Sequence, residues 1–144
     1  MKMKIIRMAH NKYLPEYKTE GSSGMDLYAA IDKEITLKPL ERVLVPTGIK
    51  IEIPLEYEAQ IRARSGLSVK HGITLINAVG TVDADYRGEV CVGLVNLSNE
   101  EYTIKPDDRI AQMVIARVEK AQIEVTTELA ESARGEGGFG STGF

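Results

Sequence analysis

The chain has 144 residues, of which 43% are hydrophobic and 27% are charged, and its net charge is −3. These values are typical of one globular domain with a single core, and they argue against a basic surface for nucleic acid or anionic membranes. No apolar run approaches the ~18 residues of a membrane-spanning helix. Cys91 is the single cysteine, which excludes a disulfide framework, so we expect a cytoplasmic protein. From the charge and the short apolar runs, we expect no nucleic-acid or membrane partner.

Strand patterns follow one another along most of the chain. Short β-rich or alternating runs occupy residues 34–39, 42–53, 56–64, 72–98 and 101–125. The fourth run is expected to turn near Gly80 and near residues 86–88, and the fifth is broken at residues 105–108. We therefore predict an all-β fold, which is an antiparallel sandwich, a jelly roll or a small barrel.

One short helix is predicted within these strands, at "SGLSVKHG" (residues 65–72). Ser65 is the candidate N-cap and Gly72 the stop signal. The stretch "TTELAESARG" (residues 126–135) is a second candidate for a helical turn.

The stretch "ARSGLS" (residues 63–68) places Arg64 and Ser65 at the junction between a strand and this helix. A guanidinium, a hydroxyl and the free N–H groups of a helix start favour an anion. The alternative is a plain helix cap with a surface arginine.

The stretch "NAVGTVDADYRG" (residues 77–88) groups polar and aromatic side chains around one predicted hairpin. A strand would place Asp83 and Asp85 on the same face. Asn77 can read an amide edge, Tyr86 can stack on a sugar or base, and a carboxylate can activate water. The alternative is a hairpin with ordinary polar turn residues.

Two further stretches carry isolated polar residues. In "SSGMDLYAA" (residues 22–30), Asp26 follows a glycine-containing opening, where an aspartate is usually a turn residue. In "DDRIAQMVI" (residues 107–115), Gln112 lies in an apolar strand and fits the solvent-facing position of an alternating pattern.

The glycine-rich end, "RGEGGFGSTGF" (residues 134–144), cannot pack a core. It also has an arginine, hydroxyls and many unhindered N–H groups, as a phosphate cradle requires. It lacks the Gly-Lys-Ser/Thr of a Walker loop, so any phosphate binding would be that of a lid that orders on the ligand.

Five of these stretches, in this order, closely resemble the five motifs of the trimeric deoxyuridine triphosphatases (dUTPases). They are residues 22–30, 63–68, 77–88, 107–115 and 134–143, so the resemblance covers nearly the whole chain. It implies a jelly-roll-like β subunit, a homotrimer with active sites shared between subunits, and Mg²⁺-dependent hydrolysis of dUTP to dUMP and pyrophosphate.

The resemblance also implies roles for the third motif. Asp83 matches the carboxylate that activates the attacking water, and Tyr86 matches the aromatic residue under the deoxyribose. Asn77 matches the residue that reads uracil, helped by the backbone near Gly80 and Val82.

The first, second and fourth motifs match phosphate and metal contacts. Arg64, Ser65 and Gly66 correspond to the phosphate-contacting loop, and Gln112 to another phosphate contact. Asp26 corresponds to a carboxylate that reaches Mg²⁺ through water.

The fifth motif matches a closing arm. Arg134, Ser141 and Thr142 correspond to γ-phosphate contacts, Phe139 to the ring that covers the uracil, and Gly140 counts among the substrate-binding residues. We therefore divide the chain into a β domain (residues 1–133) and an arm (residues 134–144) that closes over an active site.

Some positions differ from the commonest family pattern. Asp107 stands where many members have glycine, and Asp tolerates a left-handed turn better than most residues. Ala63 and Ser68 are the other departures, and none of the three removes a proposed catalytic group. Asp85 and Arg87 belong to the third motif, and structural roles are expected for them.

Two other functions compete with dUTP hydrolysis. A related class with this fold deaminates dCTP, but the sequence shows no added deaminase motif and its fifth motif is intact. A nucleotide-switched regulatory trimer would need a partner surface, and the chain shows no clear insertion to provide one.

Overall fold

The computed structural model of the chain describes residues 1–138, which form eleven β-strands and one short α-helix. In chain order these are β1 (Lys4–Arg7), β2 (Met25–Tyr28), β3 (Ile35–Leu37), β4 (Arg42–Pro46), β5 (Ile49–Glu52), β6 (Tyr57–Arg62), α1 (Ser65–His71), β7 (Ile73–Leu75), β8 (Gly80–Val82), β9 (Cys91–Asn96), β10 (Tyr102–Ile104) and β11 (Arg109–Arg117). The predicted all-β fold with one short helix is confirmed. No helix in this part of the chain is long and apolar enough to cross a membrane.

The strands of residues 1–138 pair antiparallel in four sheets. The largest has the order β2-β11-β6-β8, the next has the order β4-β9-β7, and the pairs β1-β5 and β3-β10 complete the set. Most of these neighbours are distant in sequence, so the fold depends on long-range pairing rather than on successive hairpins.

The core is a single cluster of buried apolar side chains contributed by both larger sheets. Leu27 and Met113 reach it from the four-stranded sheet, and Val92 and Leu94 reach it from the three-stranded sheet. Strand β5 shows why its sequence fits, because its isoleucines are buried while its lysine and glutamate lie at partly exposed positions. Fully burying one such aliphatic side chain contributes roughly 1.5–3 kcal/mol.

The helix lies where the sequence predicts it, but its start differs by one residue. Arg64 occupies the N-cap position with extended backbone, so Ser65 is the first helical residue rather than the cap. Gly72 ends the helix in the left-handed conformation (φ +66°), as its stop signal predicts. The second candidate, at residues 126–135, forms no helix but ends in a hydrogen-bonded turn, in which Gly135 N–H donates to Ser132 O (3.0 Å).

The predicted hairpin at residues 77–88 is wrong. Strand β7 ends at Leu75 and pairs with β9, whereas β8 pairs with β6 in the other large sheet. The turn between them is closed by Ala78 N–H to Leu75 O (3.2 Å), with Ala78 at φ +59°. Gly80 therefore lies in strand β8. The chain crosses from one sheet to the other between β7 and β8, because the two strands pair with different partners.

A second correction concerns the carboxylates of this stretch. Strand β8 ends at Val82, and Asp83 to Tyr86 form a turn closed by Tyr86 N–H to Asp83 O (3.1 Å). Asp83 and Asp85 are therefore turn residues and do not share the face of a strand.

Asp26 is likewise not a turn residue. It lies in the middle of β2, between Met25 and Leu27, and is buried. A buried carboxylate requires partners that compensate its lost hydration, and the structure provides them from two other segments, described below.

After β11 the chain runs along the outside of the domain. Residues 119–133 contain no strand or helix and are exposed throughout. Ile123, Val125 and Leu129 are 92%, 94% and 88% exposed. Three apolar side chains with this degree of solvent exposure in one segment are unusual unless another surface covers them.

Candidate active site

Two arginines and one carboxylate meet at the edge of the four-stranded sheet, and we call them the arginine–carboxylate cluster (Asp26, Arg64 and Arg109). Arg64 Nε donates to Asp26 Oδ1 (3.0 Å), and Arg109 donates from a terminal nitrogen to Asp26 Oδ2 (3.1 Å). Arg64 also donates to the carbonyl oxygen of Arg109 (3.0 Å). With two cations and one anion, the cluster keeps a net positive charge, which suits a phosphate.

The carboxylate of the cluster is more deeply buried than its two arginines. The Asp26 side chain is only 12% exposed, whereas Arg64 and Arg109 are 25% and 47% exposed. The carboxylate thus anchors the two guanidinium groups from below, and the arginines retain donors that face solvent. This arrangement pre-organises long side chains that would otherwise lose rotamer freedom on binding an anion.

Gln112 stands beside this cluster because of strand register. It is opposite Asp26 on β2 and opposite Arg62 on β6. Its side chain is half-buried and donates to the carbonyl oxygen of Ala63 (3.0 Å), which holds the chain just before Arg64. A Cβ atom at Gly24 would lie 2.6 Å from the Gln112 side-chain oxygen, so a larger residue there would displace the Gln112 amide.

The start of α1 adds backbone donors to the same edge. The N–H groups of Leu67 and Ser68 both bond to the carbonyl of Arg64. The N–H groups of Ser65 and Gly66 come before the first donors of the helix and have no acceptor within it. Both residues are exposed, and a Cβ at Gly66 would meet no atom within 4 Å, so a ligand can approach them freely.

The third motif builds a separate feature, the Asp83 loop (residues 83–89), which follows β8. Asp83 is exposed. The Tyr86 hydroxyl donates to the carbonyl oxygen of Glu89 (3.0 Å), which folds the ring back across the loop. Arg87 donates to the carbonyl oxygens of Ala84 (2.7 Å) and Tyr86 (3.0 Å), so its role here is structural.

An open groove of about 300 Å³ lies between this loop and the core strands. It is lined by Leu44, Thr81, Val82, Asp83, Tyr86, Glu89, Val90 and Cys91. Its volume is at the lower limit for a small-molecule site. Burial, aided by the negative charge of Glu89, raises the pKa of the Cys91 thiol, so this cysteine is not an activated nucleophile.

Asn77 lies on the approach to β8, in the turn that crosses between the sheets. It is exposed, and its amide nitrogen would lie 3.2 Å from a Cβ at Gly80. β8 is the edge strand of its sheet and pairs only with β6 among the described strands. Alternate backbone groups of Gly80 to Val82 therefore point away from the sheet and are free to bond a ligand.

Strand β6 separates the two groups of residues within one chain. Gly80 is opposite Ile61, and Val82 is opposite Ala59, so Asp83 continues the ladder towards Glu58. Arg64 lies six residues further along the same extended segment. At about 3.3 Å per residue, Asp83 and Arg64 are roughly 20 Å apart. The structure therefore brings Asp26, Arg64 and Gln112 together, and it does not bring Asp83 to them.

The fifth motif is described only in part. Arg134 is exposed, and its Nε donates to the carbonyl oxygen of Gly137 (2.6 Å), a contact within its own turn. Phe139, Gly140, Ser141 and Thr142 lie outside the described residues. The binding roles of this motif thus stay predictions.

Asp26 is the candidate contact for a metal ion. Both carboxylate oxygens already accept hydrogen bonds from arginines, and no three His, Cys, Asp or Glu side chains of residues 1–138 are grouped so as to hold a metal. These residues fit a Mg²⁺ that is held mainly by substrate phosphates and keeps waters between itself and the protein.

Sequence reasoning overlooked three residues of these features. Arg109 lies in the fourth motif, but its pairing with Asp26 depends on the contact between β2 and β11. A Cβ at Gly88 would lie 2.2 Å from the Tyr86 hydroxyl. Glu89 receives the hydroxyl's hydrogen bond. The only local signal was the glycine itself, since glycine often marks a close approach.

Together these observations define an all-β protein with a cationic cluster at one edge of a sheet and a carboxylate–tyrosine groove at another. The dUTPase family profile matches residues 10–143. The chain is 60% identical to the "Deoxyuridine 5'-triphosphate nucleotidohydrolase" of Finegoldia magna, over the full length of both chains. It is 55% identical to the protein of the same name from Fusobacterium nucleatum, over 99% of this chain and 97% of the relative. The chain belongs to the dUTPase family.

Solved structures agree on the fold. A mutant of the Staphylococcus bacteriophage 80alpha dUTPase, bound to dUpNHpp, superimposes with a TM-score of 0.90 at 24% identity and covers 99% of both chains. A mutant dUTPase from phage phi11 of S. aureus has a TM-score of 0.82 at 20% identity, over 91% of this chain and all of the other. The phage phi11 protein coordinates a structural Mg(II) ion. The jelly-roll-like β fold is confirmed.

Proposed function

We propose that this protein hydrolyses dUTP to dUMP and pyrophosphate, which lowers dUTP and supplies the precursor of dTMP. The observation that carries the proposal is the 60% identity over the whole chain with a protein named for this activity. The two groups of residues described above provide the chemistry that the reaction needs.

Asp83 acts as the general base. Its exposed carboxylate borders the groove, where a water molecule can lie between it and the substrate. The water oxygen attacks the α-phosphorus, its proton passes to Asp83, and the bond to the bridging oxygen breaks to release pyrophosphate. A positioned base contributes about 10²–10⁴-fold to such a step.

The groove, together with Asn77 and the exposed edge of β8 beside it, selects the nucleoside. The Asn77 amide and the free backbone groups of edge strand β8, at Gly80 and Val82, read the polar edge of uracil. The Tyr86 ring supports the deoxyribose and leaves no room for a 2′-hydroxyl. Sites of this kind, built from hydrogen bonds, can discriminate by about 10⁴-fold or more.

The phosphates bind at the arginine–carboxylate cluster and the start of α1. Arg64 is held by Asp26 and keeps donors towards solvent, and the N–H groups of Ser65 and Gly66 lie beside it. Gln112 supports this loop through the Ala63 carbonyl and adds a side-chain contact. Charge-assisted bonds from fixed donors favour the developing charge of the leaving pyrophosphate.

Mg²⁺ is the proposed cofactor. Bound to the triphosphate, the ion would supply positive charge that offsets the negative charge of the substrate. Asp26 would contact it through water, because its two oxygens are engaged by Arg64 and Arg109.

The separation of Asp83 from Arg64 supports a shared active site. The attacking water and the phosphate contacts must all lie on one triphosphate, which is much shorter than the roughly 20 Å between these residues along β6. We therefore assign each site to more than one subunit, with the Asp83 loop from one copy facing the arginine–carboxylate cluster of another. A closed homotrimer satisfies this requirement three times over.

The C-terminal arm completes the site in this proposal. Residues 134–144 form the arm, and residues 1–133 form the β domain. The exposed segment before the arm leaves Ile123, Val125 and Leu129 uncovered, as expected for a connection that lies on another subunit. Arg134, Ser141 and Thr142 then reach the γ-phosphate, while Phe139 covers the base beside Gly140. The lone Cys91 accords with a cytoplasmic location.

The test is a substrate panel with two separate readouts. Purified protein with Mg²⁺ is given dUTP, dCTP, dTTP or UTP, and pyrophosphate and ammonia are measured independently. Pyrophosphate from dUTP alone supports the proposal. Ammonia from dCTP would favour the deaminase class, and no turnover of any nucleotide would favour a regulatory binding protein.

A further inference from the structure

The Tyr86 ring is held by contacts outside the residues assigned to the reaction. Its hydroxyl donates to the Glu89 carbonyl (3.0 Å), and it crosses so close to Gly88 that a Cβ there would lie 2.2 Å from the hydroxyl oxygen and 2.4 Å from the adjacent ring carbon. The ring is 47% exposed. Its position therefore depends on where the backbone of residues 88–89 is fixed, and not on burial in the core.

The Glu89 side chain fixes that backbone. Its Oε1 accepts a hydrogen bond from the N–H of Gly48 (2.7 Å) and lies 3.1 Å from His10 Nε2. Gly48 is at φ +67°, and a Cβ there would collide with the side chain of Asn11. The buried Asn11 amide donates to the Thr47 carbonyl (2.6 Å), which ties this turn to the N-terminal segment. Glu89 is thus attached to the turn and to the N-terminal segment at the same time.

The next residue strengthens the attachment. Val90 is buried, and its N–H bonds to the carbonyl of Ile49 (2.9 Å). The N–H of Thr47 bonds to the Val90 carbonyl (3.2 Å). The Asp83 loop therefore has a firm end at residues 89–90, and the Tyr86 hydroxyl is tied to that end.

We propose that Glu89 is a positioning residue that sets the Tyr86 ring against the sugar, so that the Glu89–Gly48–His10 contacts control discrimination between deoxyribose and ribose. This inference rests on the proposed function. A ring displaced by even a fraction of an ångström would open space for a 2′-hydroxyl, because steric selection depends on close contact. Gly88 belongs to the same device, since only glycine lets the ring lie across the loop.

The experiment compares kcat/KM for dUTP and UTP in the full-length protein and in four variants. Glu89→Ala removes the acceptor for Gly48 N–H and should lower the dUTP-to-UTP ratio at least 10-fold. Glu89→Gln keeps an oxygen acceptor there and should stay within about 3-fold of the wild-type ratio. Gly88→Ala and Tyr86→Phe displace or release the ring by other means, and both should lower the ratio as well.

Glu41→Ala is the matched control, because Glu41 also accepts a backbone N–H in a turn, that of Lys38 (2.9 Å), away from the groove. It should leave the ratio unchanged. If Glu89→Ala lowers kcat/KM equally for both nucleotides, Glu89 is merely structural and the proposal fails. If Glu89→Ala does not fold, the other two variants decide. A dUTP-to-UTP ratio of kcat/KM equal to that of the wild type in both Gly88→Ala and Tyr86→Phe would also overturn the proposal. A wild-type protein that cleaves no dUTP refutes the proposed function itself, which is a separate outcome.

Discussion

Arg64 Nε lies 3.0 Å from Oδ1 of Asp26, and this contact joins the first and second motifs across 38 positions of sequence. Asp26 supports the arginines from a buried position in β2, while its other oxygen receives Arg109. The carboxylate therefore organises the two arginines of the proposed phosphate-binding edge, in addition to its proposed water-mediated contact with Mg²⁺.

Asp26→Asn tests this arrangement. The substitution removes the charge and turns an amide donor towards one of the arginines. We expect kcat/KM for dUTP to fall at least 10-fold and the free energy of unfolding to fall by about 2 kcal/mol, as is common when a charged hydrogen-bond partner is lost. Steady-state kinetics and urea unfolding measure the two effects.

Glu52→Gln is the control for that variant, because it neutralises a carboxylate in an exposed ion pair with Lys4 (2.6 Å). It should change neither quantity appreciably, since exposed pairs contribute little. If Asp26→Asn keeps wild-type kinetics, the arginine–carboxylate cluster is not part of the active site.

Asp83→Asn tests the general base. The amide keeps the size of the side chain but cannot take the proton from water. We predict a loss in kcat of roughly 10²–10⁴-fold with nearly unchanged affinity for a non-hydrolysable dUTP analogue. Turnover close to that of the wild type would exclude Asp83 as the base.

Mixed oligomers test the shared site. Subunits with Arg64→Ala and subunits with Asp83→Asn are each expected to be inactive alone. If a site takes Arg64 from one copy and Asp83 from another, random assortment at equal ratio completes about a quarter of the sites. Co-refolding followed by a pyrophosphate assay detects this recovery. An inactive mixture whose subunits have demonstrably exchanged would mean that each site lies within one chain.

Substitutions of Asp107 test the turn that departs from the commonest family pattern. It is at φ +68° and pairs with Lys12 (2.8 Å). Asp107→Ala loses the pair and keeps the left-handed backbone, whereas Asp107→Gly loses the pair and relieves the strain. We expect the glycine variant to be the more stable of the two by about 1 kcal/mol, measured by urea unfolding.

Leu40→Gly is a parallel case, because Leu40 is exposed at φ +65°. This substitution should also stabilise the protein against urea unfolding.

Cys91 reports on the groove through its pH dependence. Burial, followed by the negative charge of Glu89, raises the pKa of its thiol. The thiolate fraction at pH 8 is therefore smaller than in an unhindered cysteine, so alkylation by iodoacetamide should be slow there and should accelerate only at higher pH. Glu89→Gln removes the nearby negative charge, lowers the pKa and should speed the reaction at a given pH. A dUTP analogue should slow it, since Cys91 lines the groove.

Residue types and their order determined the family and much of the secondary structure. The alternation of apolar and polar residues predicted the strands now seen at β3 to β6 and at β9 to β11, and Gly72 predicted the end of α1. The five motifs also predicted which side chains carry the chemistry, and those roles stay predictions. These features are local, because each depends on residues within a few positions of one another.

Tertiary structure decided which of those residues meet. A period of two sets the face on which a side chain lies but not the strand that pairs with it. Thus the sequence suggested a hairpin at residues 77–88, whereas β7 and β8 pair in different sheets, and it suggested a turn at Asp26, which is a buried strand residue. The pairing of β2, β11 and β6 gathers Asp26, Arg64 and Arg109, while the length of β6 keeps Asp83 away from them. Such placements follow from packing a single core out of distant segments, which no local pattern contains.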